Sequence, residues 1–186
     1  MAVITFPTTI KPLVSTMRAV ATVGIGESPF TLQAQKQVFN ANRWEIDLEY
    51  PPITDASTAA ELEAFIMQLN GQENTTLVPN FDRPTPIGIG TGTPLVNGAS
   101  QTGESLITDG WTVSQTGILA AGDYIQVENY MYMVVTSSDS DGSGNSTLSI
   151  RPELKSSPAN NAPIVVAYPA TLCRLAANVN SCKERS

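Results

Sequence analysis

Arg43 to Tyr50 read RWEIDLEY, with Trp44, Ile46, Leu48 and Tyr50 alternating strictly with Arg43, Glu45, Asp47 and Glu49. Side chains on a strand point to opposite faces with a period of two, so this run predicts a strand with one apolar and one charged face. Pro51 and Pro52 end it, since neither can donate to a ladder. An amphipathic helix follows at 58–70: Leu62, Phe65, Ile66 and Leu69 recur at i, i+3, i+4 and i+7. Thr58 and Glu61 have the spacing of a capping box, and Asn70 with Gly71 supplies a left-handed stop. A helix with one apolar side needs a support, and the apolar face of the preceding sheet is the natural one.

Around this unit the pattern is β. Met17 to Val23, and Phe30 to Leu32 with Val38 and Phe39, read as strands separated by Gly24, Gly26 and Pro29; a return strand is expected at Thr76 to Val78. From Asp82 to Gly103 the chain is rich in Pro and Gly without apolar periodicity, which predicts a connector. Beyond it, Leu106 to Val113, Tyr124 to Val127, Tyr130 to Thr136 and Ser146 to Ile150 are short strand-like runs, with a tight hairpin at Glu128 and Asn129. Ile164 to Tyr168 and Leu172 to Val179 read as returning strands. The expected fold is mainly β with one helix (α+β): a β-sandwich or split-barrel core over 1–87 and 163–186, a connector at 88–103, and an inserted small β module at 104–162.

At 186 residues the chain can bury a core without staples. With 41% hydrophobic and 15% charged residues it belongs with ordinary globular chains. A net charge of −7, with ten basic residues scattered along the sequence, argues against duplex nucleic acid as a partner, because phosphate binding needs clustered Lys and Arg. No apolar run approaches the ~18–20 residues of a membrane-spanning helix, so no membrane insertion is expected. MAVITFPTTIKPLV does not read as a secretory signal, which predicts synthesis and folding in the cytoplasm. Cys173 and Cys182 match no metal-binding spacing; a reduced pair is the default, and a disulfide formed in an oxidising medium is the alternative.

With no His, a Ser-His-Asp triad, a Cys-His pair and a zinc-peptidase motif are all excluded. Glu45, Asp47 and Glu49 sit on the wet face of a strand, and Glu61 and Glu63 on the first turns of a helix, where acids complement the dipole. GIGTGTP at Gly88 to Pro94 lacks the Lys and the following helix of a phosphate loop. DSDGSGN at Asp139 to Asn145 begins like a calcium loop, but Ile150 stands where the bidentate Glu is needed, so an Asp- and Gly-rich turn is expected. No enzyme, metal or cofactor is therefore expected. Trp111, Tyr130 and Tyr132 are candidates for a glycan-binding platform, weighed against ordinary core packing.

RWEIDLEY, the Pro pair, AAELEAFIMQLNGQ and TTLVP, in that order, resemble the N-terminal core of phage distal tail and minor tail proteins. The second module is similar to a pattern found in phage tail-tip proteins: VNGASQTG, the GW at Gly110 and Trp111, GDYIQV, MYMVV, a DG-rich turn and RPEL. The resemblance implies a structural virion protein: a ring, a hexamer of this chain, at the distal end of the tail, joining the tube to hub, tip, fibre or receptor-binding proteins. It implies subunit or partner contacts through the helix and adjacent strands, at Trp44, Tyr50, Glu61, Phe65 and Asn70. The alternatives are a capsid decoration or head-completion protein and a carbohydrate-binding attachment module.

Overall fold

A computed structural model describes residues 1–39 and 41–178. In chain order the elements are β1 (Val3–Ile4), β2 (Val14–Val20), β3 (Val23–Glu27), β4 (Ala34–Val38), β5 (Arg43–Glu49), α1 (Ala56–Leu69), β6 (Thr75–Pro79), β7 (Gly92–Val96), β8 (Ser105–Trp111), β9 (Tyr124–Val127), β10 (Tyr130–Val134), β11 (Ser146–Arg151), β12 (Ile164–Val165) and β13 (Ala170–Cys173). The described residues are thus mainly β with one helix.

The core lies in the second half. Six antiparallel strands run in the order β12-β9-β10-β11-β8-β7. The sheet curls until its two edge strands meet at a single antiparallel bridge between Leu95 and Pro163, flanked by Val96 N–H to Ala162 O and Asn161 N–H to Val96 O, each 2.9 Å. Near-closure removes most of the exposed edge that an open sheet would present. Leu106 and Thr108 of β8, Ile125 and Val127 of β9, and Leu148 and Ile150 of β11 alternate into the interior with Val96, Trp111, Tyr132, Val134 and Ile164. The period-two pattern of these runs is that of a half-buried strand, and the expected two-residue hairpin at Glu128–Asn129 joins β9 to β10 in register Val127↔Tyr130.

Strand β7 corrects the expectation of a plain connector. Gly92–Val96 forms one edge of the barrel, pairing with β8 through a bulge in β7 that sets Thr93 and Pro94 opposite Gly110. Gly110 there has φ +76, and a Cβ on it would land on the Thr93 carbonyl. Only a residue without a side chain permits that approach.

The remaining strands are small. β6 lies between β1, parallel to it, and β13, antiparallel to it. The C-terminal segment, expected to return as a strand, returns onto β6, and the barrel is inserted between the two neighbours β6 and β13. β12, expected in the first unit, belongs to the barrel. Among the described residues β2 pairs only with β5, and β3 only with β4, as two-stranded ribbons. Gly24 and Gly26, expected to break the chain, lie inside β3, and Phe30 to Leu32, expected to be a strand, form the ribbon's turn. The helix begins earlier than its capping-box pattern suggests. Asp55 is the N-cap, accepting the Thr58 N–H at 2.9 Å, and no acid stands in the first turn, so Glu61 and Glu63 do not serve the dipole there. Leu62, Phe65, Ile66 and Leu69 are its more buried residues, and its support is the N-terminal segment: Phe6, buried, meets Phe65 edge-on at 5.5 Å.

Candidate functional site

Three places bring candidate residues together: a seam between the modules, a groove beside the helix, and the ribbon β3–β4.

The seam is a cleft of about 120 Å³ where β5, β10, β13 and residues 152–155 meet, with Trp44, Tyr130 and Tyr132 in its lining. Several polar groups in and beside it join the modules. Trp44 donates its Nε1–H to Met131 O at 2.8 Å, and its ring tilts against Tyr124 at 5.8 Å. Leu172 N–H reaches Asn129 O at 2.8 Å, Ala170 N–H reaches Gln126 Oε1 at 2.7 Å, and Lys155 Nζ reaches Asn42 O at 3.3 Å. The cleft is also smaller than the ~300–1,000 Å³ usual for ligand sites. It acts as a joint.

The glycan platform does not assemble. Trp111 is 3% exposed, with its Nε1–H given to Thr108 Oγ1 at 2.8 Å. Tyr132 is 2% exposed, and its hydroxyl accepts the Lys155 N–H at 3.2 Å; burial pushes its pKa above the ordinary phenol range. Both belong to the barrel interior, leaving Tyr130 half-buried in the seam. A sugar-stacking face needs rings in solvent.

Of the residues the resemblance singled out, Trp44 is in the seam and Tyr50, half-buried with its hydroxyl pKa raised by burial, follows β5. Asn70 caps the helix C-terminus in the left-handed region at φ 48 and hydrogen-bonds Glu73. Glu61 and Phe65 line the groove. This groove, about 330 Å³, runs between Thr5–Thr8 and the helix stripe Glu61, Ala64, Phe65 and Gln68. Phe6 and Phe65 form its aromatic wall, and Glu61 on its rim accepts from Thr9 Oγ1 at 2.8 Å.

The ribbon β3–β4 exposes apolar side chains along its length: Val23 43%, Ile25 66%, Phe30 94%, Leu32 73% and Phe39 43% exposed. Sequence reading missed it as a unit, because a ribbon outside the core carries no buried face for periodicity to report.

Asp123 was also missed. It is 2% exposed and accepts three backbone N–H groups: Ile87 at 2.6 Å, Gly88 at 2.9 Å and Ala120 at 2.8 Å. Ile89 and Gly90 N–H go to the carbonyls of Gly117 and Ile118. The amides of the glycine-rich segment are thus bonded to the barrel, and a Cβ at Gly88 would lie 2.6 Å from Leu119 Cα. The Asp-rich turn is likewise bonded within itself. Asp141 accepts Ser143 N–H, Asn145 N–H and Asn145 Nδ2, which hold its carboxyl below the usual range. Among the described residues no group of three or more His, Cys, Asp or Glu could hold a metal ion, and no helix is long and apolar enough to cross a membrane. Burial pushes the Cys173 thiol up to about 11; Cys182 lies outside the described residues. No protein-family model matches the chain, and no curated protein matches it.

Proposed function

We propose that this chain is a non-enzymatic structural protein of a tailed-phage virion, a ring or adaptor at the distal end of the tail that works by self-association and by docking other tail proteins. The observation that carries the reading is the β3–β4 ribbon. An isolated two-stranded hairpin is marginal in water, yet this one holds five large apolar side chains in solvent. Single apolar residues scattered over a surface are ordinary, whereas five large ones concentrated on one small ribbon mark an element that another protein covers. The order of strand, Pro pair, helix and strand from Arg43 to Val78 supports the tail-tip placement through its resemblance to distal tail proteins.

A reconstruction of the virion tests it. Density for this chain as a hexameric ring on the tail axis is the expected result. Labelling on heads would replace the reading with a capsid decoration or head-completion role, and a monomer or trimer in purified virions would overturn the ring. Burial of Trp111 and Tyr132 disfavours the carbohydrate-binding alternative.

A further inference from the structure

The ribbon and the groove are unpartnered features of one chain, and each has what the other lacks. The groove is an aromatic-walled depression with room for a ring and an acid, Glu61, on its rim. The ribbon ends in a turn that displays Phe30 and Leu32, and its β4 strand carries Lys36, which has no hydrogen-bond or ion-pair partner among the described residues. We propose that the ribbon of one copy seats Phe30 and Leu32 in the Phe6–Phe65 groove of the next copy, with Lys36 facing Glu61.

Two observations select a second copy as the occupant. The first is charge. Copies of a chain at −7 repel one another, but Thr22 to Phe39 contain one Glu and one Lys, so this is a stretch where two copies can meet at little electrostatic cost. The second is complementarity: the ribbon's Lys36 finds at the groove the acid it lacks at home. The register places Lys36 opposite Ile25, two residues back from Ala34 where the pairing ends, and Glu61 stands one helical turn from Phe65. Because ribbon and groove are different patches, the contact is head-to-tail, the type that generates a ring when its rotation closes. This contact rests on the proposed ring and supplies its subunit joint.

The test uses the full chain, followed by sedimentation and native mass spectrometry across a concentration series. The wild type is expected to assemble. Phe30→Ala should raise the concentration at which oligomers dissociate by roughly tenfold or more, with an unchanged unfolding curve at concentrations where both proteins are monomeric, because Phe30 is 94% exposed in the single chain. Lys36→Glu and Glu61→Lys should each weaken assembly, and the two together should restore it. A wild type that stays monomeric throughout overturns both the ring and the contact. A wild type and Phe30→Ala that assemble equally overturn the contact and leave the ring standing; so does a charge reversal that fails to restore.

Discussion

The indole of Trp44 on the β2–β5 ribbon donates its Nε1–H to the main-chain carbonyl of Met131 on β10, at 2.8 Å, tying residues 87 positions apart across the joint between the two halves of the fold. Trp44→Phe keeps most of the apolar contact with Tyr124 and removes the donor. A partly buried carbonyl that loses its partner costs about 1 kcal/mol. Chemical denaturation should show a loss of that size, and hydrogen exchange should speed up in β5 while the barrel amides around Leu148 and Ile150 stay protected. Equal acceleration in both would mean that the joint and barrel open together.

Asp123 holds the segment before β7 against the barrel through the Ile87 and Gly88 N–H groups, and closes its own loop by accepting the Ala120 N–H. Asp123→Ala leaves them without that acceptor in a site where water reaches poorly, at a cost of about 3 kcal/mol. Thermal unfolding should register the loss, and the amides of Ile87, Gly88 and Ala120 should be the ones whose exchange rises first. An unchanged melting curve would show that water replaces the carboxylate there.

What could be read from the sequence follows from which forces leave a local trace. RWEIDLEY became β5 because alternation reports a strand with unlike faces, and Leu62, Phe65, Ile66 and Leu69 became the buried side of the helix by the same logic at 3.6 residues per turn. The barrel strand β11 alternates cleanly for the same reason, and β8 does so as far as Thr108, before the irregularity at Gly110. Strand β10 does not: Met131 and Tyr132 are both buried, since Trp44 lies against one and the barrel interior holds the other. That two-sided covering, set by residues far away in sequence, hid the fate of Tyr132 as a candidate sugar platform. Asp123 was hidden likewise, because its partners at Ile87 and Gly88 are 36 and 35 residues away. The β3–β4 ribbon left no trace because Gly24 and Gly26 look like breakers, and a ribbon without a core contact has no inside.

Trp111 separates a core role from a surface role. It fills the barrel beside Thr108, which in turn gives its Oγ1–H to Ser146 O at 2.9 Å. Trp111→Ala should therefore cost about 3–5 kcal/mol, visible in urea denaturation, and any apparent loss of glycan binding in that variant should track the unfolded fraction. Trp111→Phe retains much of the volume and should lose less. Binding lost in a fully folded Trp111→Phe protein would restore a direct role for the indole.

Asp55 supplies the pH dependence. Its carboxylate accepts from Thr58 Oγ1, Ser57 Oγ and Thr58 N–H, and these bonds, led by the Thr58 side chain, hold its pKa down at about 2. A carboxyl whose folded pKa is lowered contributes stability that is complete above its unfolded value, near 3.9, and is lost as pH falls through the folded value. The group is exposed, so solvent screens the effect and the change stays local to the helix start. Carboxyl-carbon NMR should place the Asp55 titration well below that of an ordinary aspartate. Exchange of the Thr58 and Ala59 amides, corrected for intrinsic rates, should accelerate between about pH 4 and pH 2 in the wild type. In Asp55→Asn, which caps without titrating, that step should vanish; its persistence would place the titrating group elsewhere.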